Sequence, residues 1–272
     1  MLPDSPESSP NSRKGPWEQP ETTQSKMSKS ATLIIVPTYN ERENVPVLIP
    51  KLLRVVPDSD VLVIDDNSPD STADFAEELF ADEPRFAVLR RNGPRGLGRS
   101  YADGYRYALD HGYTRLVQMD ADFSHDPDSI PLLIESSLNH DVVIGSRYCE
   151  GGMVCNWPLR RRFLSRFANR YVSIITGMDL FDATSGFRCY RRKGLESLMG
   201  NSIRSEGYAF LVETAYKAYA DRLSIVEVPI KFVDRREGNS KISRKVILES
   251  IITPWRLRLG GRSLQLLLFS RP

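Results

Sequence analysis

The sequence predicts an α/β fold: a mostly parallel sheet with helices on both faces. From residue 31 to residue 145, short apolar runs rich in β-branched residues alternate with segments that have a helical apolar face. Alternation of this kind favours parallel strands joined by crossover helices. The length of 272 residues and the hydrophobic content of 40% suit one such domain with additional segments.

The strands are predicted from apolar runs that a breaking or acidic residue ends. Pro37 ends the first run and Asp65 the second, and neither run alternates with polar residues, which is typical of strands buried on both faces. The predicted strands span residues 33–36, 61–64, 86–89, 116–119 and 142–144. The helices predicted between them span residues 44–56, 71–80, 99–110 and 128–138. Ser71 is the expected N-cap of the second helix.

The alternation is looser after Gly145. We expect a basic helix over residues 160–175, a strand over 183–190, a helix over 208–219 and a strand over 223–228. Residues 1–30 hold five prolines and seven serines, a composition that predicts a disordered leader. The chain is therefore divided into the leader, an α/β domain over residues 31–245, and an amphipathic basic tail over residues 246–272.

The net charge of +2 hides an uneven distribution. Residues 31–152 carry 21 acids and 11 bases, net −10, whereas residues 153–193 and 231–272 are each net +7. This pattern fits a protein that holds a cation with one half and phosphates with the other. Solvated charged faces, without a ligand, give the same pattern.

The lengths of the apolar runs and the cysteine content indicate where in the cell the protein is expected. No run approaches the roughly 18 apolar residues of a membrane-spanning helix, and no apolar segment of a secretory signal follows the start. The three cysteines, at positions 149, 155 and 189, match neither a disulfide framework nor a zinc site. We therefore expect no spanning helix and a cytoplasmic location.

Acidic side chains follow three of the predicted strands. Glu41 follows the first strand, Asp65 and Asp66 the second, and Asp120 and Asp122 the fourth. Ligands of open parallel sheets bind beyond the carboxyl ends of the strands, where clustered carboxylates repel one another unless a cation compensates. Asp120 and Asp122 are therefore candidate ligands of a hard divalent cation that also binds phosphate oxygens. The alternative is an ordinary loop, because Asp-x-Asp is a weak pattern by itself.

Other residues near these strand ends each admit two interpretations. Tyr39 could stack on a base or pack a loop. Asp66 could accept hydrogen bonds from a base or ribose, or cap the following helix. The three histidines, His111, His125 and His140, show no ligand spacing, and we expect them at surface or loop positions.

Two basic clusters in the second half are candidate phosphate sites. An arginine triplet, residues 160–162, precedes Ser165 in the predicted basic helix, and at most two of its members can face one site. Residues 232–243 form a glycine-containing loop with Arg235 and Lys241. Guanidinium, ammonium and hydroxyl groups suit phosphate binding. The alternatives are anionic lipid and nucleic acid, and the acidic first half and the lack of a recognised module argue against nucleic acid.

Taken in order, these motifs resemble the polyprenol-phosphate (dolichol-phosphate) mannose synthases of glycosyltransferase family 2. The resemblance covers residues 31–245. PTYNE marks the broad family, whereas the segments around the arginine triplet and the basic loop are more specific to polyprenyl-phosphate acceptors. The matching segments are VPTYNERENVP (36–46), VIDDNSPD (63–70), GLG (96–98), MDADFSHDP (119–127), GSRY (145–148), NWPLRRRFLSRFAN (156–169), TSGFRCYRR (184–192), SEGYAF (205–210) and EVPIKFVDRREGNSK (227–241).

The resemblance implies a Rossmann-like GT-A fold and a set of site residues. The implied nucleoside pocket consists of Pro37, Tyr39, Glu41, Ile64 and Asp66. The implied diphosphate and metal site consists of Asp120, Ala121 and Asp122, with the two aspartates binding Mg²⁺ or Mn²⁺. Some members supply a glutamine as a further metal ligand at the position of Ser124, so the third ligand differs here.

Basic residues complete the implied site. Arg147, Arg235 and Lys241 resemble contacts to the phosphates of donor and acceptor, and Arg161 and Ser165 resemble contacts to the acceptor phosphate. The implied catalytic set is Asp122 together with these five residues.

The resemblance also implies a reaction: transfer of mannose from GDP-mannose to a polyprenyl or dolichyl monophosphate. The second pKa of a phosphate monoester is about 6, so the acceptor is mostly a dianion at pH 7. It is already a nucleophile, and we expect a single displacement with inversion that needs no protein base. Three alternatives stay open: UDP-glucose as the donor, a non-catalytic nucleotide-phosphate binding module, and a nucleotidyltransferase of similar architecture.

A lipid acceptor implies a membrane partner. Some relatives have C-terminal spanning helices, whereas here the basic tail, residues 242–269, alternates apolar and arginine residues. Such a segment could lie on an anionic bilayer or pack on the domain, and beyond Trp255 we favour the bilayer. We expect a peripheral protein on the cytoplasmic face of a membrane, with a membrane-anchoring helper subunit as a further candidate partner.

Overall fold

The fold is built on a seven-stranded sheet in the part of the chain that the structure describes. The structure is a computed structural model, and it describes residues 31–200, 203, 205, 207–234 and 244–260. The strands are β1 (Thr32–Thr38), β2 (Ser59–Asp65), β3 (Phe86–Arg90), β4 (Arg115–Gln118), β5 (Val142–Ser146), β6 (Met153–Cys155), β7 (Arg188–Arg191), β8 (Ile225–Pro229) and β9 (Lys231–Val233). The predicted leader, Arg235, Lys241 and the end of the predicted tail lie outside the described residues.

Helices connect most of these strands. They are α1 (Val45–Val55), α2 (Thr72–Leu79), α3 (Leu97–Asp110), α4 (Ile130–Ser136), α5 (Leu159–Thr176), α6 (Arg192–Gly200), α7 (Gly207–Ala220) and α8 (Arg244–Gly260), with a 3-10 turn at Pro127–Ser129 ahead of α4. None of the helices within these ranges is long and apolar enough to cross a membrane.

The strand order is β3-β2-β1-β4-β7-β5-β8, and a separate small sheet pairs β6 with β9. In the large sheet β7 runs antiparallel to both of its neighbours, and the other pairs are parallel. The predicted mostly parallel sheet is therefore confirmed. One antiparallel strand, which the apolar runs did not predict, separates the two parallel groups.

Successive residues of a strand point to opposite faces, and both faces of this sheet are covered. Ile34 and Val63 pack with the apolar faces of α1, α2 and α4. Ile35 and Leu62 pack with α3, α6 and α7 on the other face. This two-sided burial explains why the strands are continuous apolar runs, and it confirms the prediction of helices on both faces.

Two local predictions are confirmed only in part. Of the strand predicted over residues 183–190, only residues 188–190 belong to a strand, which continues to Arg191. The segment before it turns around Arg188, whose guanidinium donates to the carbonyls of Ala183 and Ser185 at 2.8 Å each. Ser71 occupies the N-cap position of α2, as predicted, but its side chain makes no capping hydrogen bond, and its φ is 60°, in the left-handed region. The side chain of Asp70 instead accepts the N–H of Thr72 at 3.0 Å.

Helix α8 covers part of the predicted tail and packs on α5 and α7. The hydroxyl of Tyr171 donates to the carbonyl of Ile251 (2.9 Å) and accepts from the indole of Trp255 (3.0 Å). Arg256 donates to Ser205, and Arg258 to the carbonyl of Thr176. The expectation that residues beyond Trp255 face a bilayer does not hold for these two arginines, because they bind the domain.

Candidate active site

A cavity of about 940 Å³ lies beyond the carboxyl ends of β1, β2, β4 and β5. Most of the predicted site residues line it: Pro37, Tyr39, Glu41, Asp66, Asp120, Ala121, Asp122, Arg147, Arg161 and Ser165. The strand ends therefore meet at one rim, as their order in the sheet requires. Ile64 is the exception among the described candidates, because its side chain is fully buried in the core against α3 and does not line the cavity.

At one end of the cavity, Asp66 links the end of β2 to the start of α3. One carboxylate oxygen of Asp66 pairs with the buried guanidinium of Arg91, and the other accepts the N–H of Gly96 at 2.8 Å. Arg91 also pairs with Asp103 at 2.7 Å. Asp66 therefore does not cap the helix that follows it, α2. Its carboxylate is fixed in place at the rim, where a polar ligand can approach it.

Tyr39 forms the outer wall of this end. The guanidinium of Arg95 lies 4.5 Å from the centre of the Tyr39 ring, and the ring is 38% exposed. Cation–π contact of this kind orients an aromatic ring at the surface. A half-exposed, oriented ring beside Asp66 suits contact with the flat face of a base.

The two aspartates that follow β4 form the centre of the site. The hydroxyl of Tyr101 donates to Oδ1 of Asp120 at 2.9 Å, and the main chain of Ser124 donates to Oδ1 of Asp122 at 3.1 Å. Burial, followed by the nearby Asp120 charge, raises the pKa of Tyr101 well above its ordinary value. Tyr101 is therefore a neutral donor to the carboxylate.

His125 lies in the loop after β4, as expected, but it is buried beside these aspartates rather than at the surface. Its ring is stacked on Phe187 at 5.0 Å and lies edge-on to Phe232 at 5.6 Å. Its Nδ1 accepts the main-chain N–H of Asp120 at 3.1 Å, which assigns the ring proton to Nε2. Burial lowers the pKa of His125 although the Asp120 and Asp122 charges raise it. The imidazole is therefore a neutral acceptor that holds the loop after β4.

The donor set of Asp120 and Asp122 fits a hard divalent cation that also binds a substrate. Carboxylate oxygens are preferred ligands of Mg²⁺, which usually takes only one or two of them and completes its shell with water and phosphate oxygens. Within the described ranges no group of three or more His, Cys, Asp or Glu side chains could hold a metal alone. The residues present thus fit a cation that is shared with a diphosphate.

Arg147 lines the cavity and forms a buried ion pair with Asp182. Its guanidinium makes two hydrogen bonds of 2.6 Å to Asp182, and it donates to Thr184 at 2.8 Å. The side chains of Arg147 and Asp182 are 7% and 0% exposed. Glu227 accepts the main-chain N–H of Asp182 at 2.8 Å, and burial raises the pKa of its carboxyl. Arg147 is thus a fixed charge in the cavity wall.

Arg161 is held more loosely on α5. It pairs with Asp234 at 2.9 Å and lies 4.0 Å from the centre of the Trp157 ring. Ser165 is one turn further along α5, on the same face. Of the arginine triplet only Arg161 lines the cavity. The guanidinium of Arg162 donates instead to the carbonyl of Val154.

The other end of the cavity is apolar and was not predicted. It is lined by side chains of three helices: Leu164, Ala168, Tyr171 and Val172 of α5, Val212 of α7, and Ile251 of α8. The α5 residues recur at the i, i+4, i+7 and i+8 spacing of an apolar helix face. That spacing could have predicted the apolar face from the sequence. Because of the surrounding arginines, we interpreted the segment only as a basic helix. The described cavity thus joins an acidic end to a basic and apolar end.

The family model described as "Glycosyl transferase family 2" matches residues 33–199. The chain belongs to glycosyltransferase family 2. Membership of family 2 confirms the assignment as a glycosyltransferase, and the matched residues contain the acidic strand ends, Arg147, Arg161 and Ser165.

Two bacterial relatives extend the match within family 2. The chain is 43% identical over 230 residues to the undecaprenyl-phosphate mannosyltransferase of Micrococcus luteus. The match covers 85% of this chain and 95% of that protein. It is 42% identical over 231 residues to the polyprenol monophosphomannose synthase of Mycolicibacterium smegmatis. That match covers 84% of this chain and 87% of the relative. The resemblance to polyprenol-phosphate mannose synthases is therefore confirmed.

Solved structures support the family 2 fold. The glucosyl-3-phosphoglycerate synthase of Mycobacterium tuberculosis, in complex with Mn²⁺, UDP and phosphoglyceric acid, matches with a TM-score of 0.63 at 18% identity. The match covers 86% of this chain and 79% of that one. The predicted fold class is therefore confirmed.

Proposed function

We propose that this chain transfers mannose from GDP-mannose to a polyprenyl or dolichyl monophosphate, with inversion at the anomeric carbon. The observation that carries the proposal is the single cavity that joins an acidic end, with Asp66, Asp120 and Asp122, to a basic and apolar end, with Arg147 and Arg161. A nucleotide sugar suits the first end, and a phosphate on an apolar chain suits the second. The names of both bacterial relatives specify mannosyl transfer or phosphomannose synthesis on such lipids.

Asp120 and Asp122 are the residues that would hold Mg²⁺ or Mn²⁺ together with the donor diphosphate. The bound cation supplies charge neutralisation for the leaving diphosphate. Tyr39, Glu41 and Asp66 line the same end, and we assign them to the nucleoside. Pro37 and Ala121 contribute lining beside them.

Arg161 and Ser165 are assigned to the acceptor phosphate, and Arg147 to the phosphates of donor and acceptor. The dianionic phosphate oxygen forms a bond to the anomeric carbon, while the bond from that carbon to the diphosphate oxygen breaks and GDP leaves with the electron pair. No proton has to be removed, because the acceptor is already ionised at pH 7. The chain's role is to bring two anionic groups together, which would otherwise repel. By their motif, Arg235 and Lys241 are assigned to the phosphates of donor and acceptor as well.

The apolar end of the cavity opens towards an apolar surface on α5 and α8. We call this surface the α5–α8 face. Its members are half or more exposed: Leu159, Phe163, Leu164, Phe167, Ile174, Ile251, Ile252, Trp255 and Leu259. Exposed arginines lie between them on α5, at positions 160, 166 and 170. Apolar side chains with interspersed arginines suit the headgroup region of an anionic bilayer, which supports a peripheral protein that takes its acceptor from the membrane.

Liposome flotation tests the α5–α8 face. Phe163 and Phe167 are 74% and 60% exposed, and replacing both with serine should strongly reduce binding to vesicles that contain anionic lipid. Val47 is similarly exposed, at 61%, on α1 outside the face, so Val47→Ser is the matched control. Full binding by the double variant would overturn the assignment of this face.

The reaction itself is tested by a matrix of donors and acceptors. GDP-mannose and UDP-glucose are each offered with polyprenyl phosphate and with the free polyprenol, in the presence and absence of Mg²⁺ or Mn²⁺. We expect labelled lipid only from GDP-mannose, polyprenyl phosphate and metal together. Labelling from UDP-glucose instead would replace the donor assignment, and no labelling under any condition would favour a binding module.

A further inference from the structure

Asp120 is held from behind by a buried tyrosine. Tyr101 on α3 is fully buried, is stacked on Phe210 at 5.9 Å, and donates its hydroxyl to Oδ1 of Asp120 at 2.9 Å. A buried phenol needs a partner for its hydroxyl, and here the partner is a carboxylate at the cavity. The hydrogen bond therefore joins the core of the domain to the rim of the site.

The other contacts of Asp120 leave its second oxygen to the cavity. The main-chain N–H of Asp120 donates to Nδ1 of His125, and that nitrogen lies 3.9 Å from Oδ2, beyond hydrogen-bonding distance. The side chain of Asp120 is 32% exposed and lines the cavity. The main chain of Asp120 is thus fixed by His125 and its Oδ1 by Tyr101, whereas no hydrogen bond within the described residues engages Oδ2.

We propose that Tyr101 is a positioning residue that orients the Asp120 carboxylate for a divalent cation. The inference rests on the proposed function of Asp120 as a metal ligand. Without the hydroxyl, the carboxylate gains rotational freedom and Oδ1 competes with Oδ2 for the cation. Partners that hydrogen-bond a metal ligand typically change metal affinity by 10–100-fold when they are removed.

The same helix provides a matched control. Tyr105 lies one turn after Tyr101 on α3, is equally buried, and donates its hydroxyl to Gln118. Gln118 in turn donates to the carbonyl of Gly186 at 2.9 Å and does not line the cavity. Tyr105→Phe therefore removes a buried hydroxyl of the same kind without touching a proposed metal ligand.

The experiment measures Mn²⁺ binding directly, by the loss of the free-ion electron paramagnetic resonance signal, in the presence of GDP and, in parallel, UDP. We expect Tyr101→Phe to weaken Mn²⁺ binding by about 10-fold or more, and Tyr105→Phe to leave it within about twofold. Titrating Mn²⁺ in the transfer assay should show the same order, with a higher metal requirement for Tyr101→Phe that saturating Mn²⁺ largely overcomes. Melting temperatures of both variants report any general loss of packing.

The outcomes separate this inference from the proposed function. Equal Mn²⁺ affinity in the wild-type chain and Tyr101→Phe would overturn the positioning role alone. Equal weakening in both variants would also overturn it, because the effect would then be one of packing. If the wild-type chain binds no Mn²⁺ with either nucleotide, the proposed metal site fails, and the role of Tyr101 fails with it.

Discussion

The two arginine–aspartate pairs of the cavity should differ sharply in their contribution to stability. Asp182 accepts hydrogen bonds from the main chain and the side chain of Arg147 and also from Asn169, and its side chain is fully buried. Asp234 pairs with Arg161 at a similar distance, but their side chains are 29% and 38% exposed. The matched substitutions are Asp182→Asn and Asp234→Asn.

The expected magnitudes follow from the two environments. Removing one partner of a buried ion pair costs about 3–5 kcal/mol, because the other charge is left uncompensated. In Asp182→Asn the new amide also places N–H groups against those of Arg147. Breaking a partly exposed pair costs about 0.2–1 kcal/mol, because water replaces the partner. We therefore expect Asp182→Asn to lower the free energy of unfolding by about 3 kcal/mol more than Asp234→Asn.

Urea unfolding followed by circular dichroism measures this difference. With a slope of about 3 kcal/mol per molar urea, the midpoint of Asp182→Asn should fall by about 1 M, and that of Asp234→Asn by about 0.2 M. The slopes of the three proteins should agree, which shows that the same surface is exposed in each. Equal midpoint shifts in the two variants would refute the argument from burial.

The remaining predictions concern the proposed metal site and the core. Asp122→Ala should abolish mannosyl transfer and leave the melting temperature unchanged; a fully active variant would remove Asp122 from the metal site. EDTA should stop transfer by the wild-type chain and Mn²⁺ should restore it, with no change in circular dichroism; activity that persists in EDTA would count against any metal. Gly104→Ala should cost about 1–2 kcal/mol net of its helix propensity, because its Cβ would lie 2.6 Å from Ile64 and 2.8 Å from Ile35. Gly93→Ala, which has no heavy atom within 4 Å, is its control, and an equal loss of stability in both variants would contradict the steric argument.

The parallel part of the fold could be predicted because its signals are local. The first two strands are apolar runs, and Pro37 and Asp65 lie within one residue of their ends. The order of the strands then places Asp66, Asp120 and Asp122 at one rim without further information. Strands of three residues, such as β6 and β9, carry too few residues for a pattern, and they were missed.

The antiparallel strand β7 could not be predicted from its own residues. It pairs with β4 on one side and with β5 on the other, and nothing in residues 188–191 encodes that direction. The turn before it depends on the buried guanidinium of Arg188, which also donates to Thr214 of α7 at 2.9 Å. An arginine in an apolar run resembles a surface residue until its distant partners are known.

The site shows the same division between local and distant information. The motifs predicted which residues line the cavity at its acidic end, but not their partners. His125 resembles a loop residue in the sequence, and it is buried because Phe187 and Phe232, remote in the chain, enclose its ring. The apolar end was missed because it requires α5, α7 and α8 to meet.

The cavity has exposed residues at both ends: Tyr39 at the acidic end, and Leu164, Phe167 and Ile251 at the apolar end. The nucleotide sugar and the lipid phosphate of the proposed reaction can therefore enter the cavity through separate openings. Under the proposed function, the nucleotide product can leave to water through the acidic end while the mannosylated lipid returns to the membrane through the apolar end.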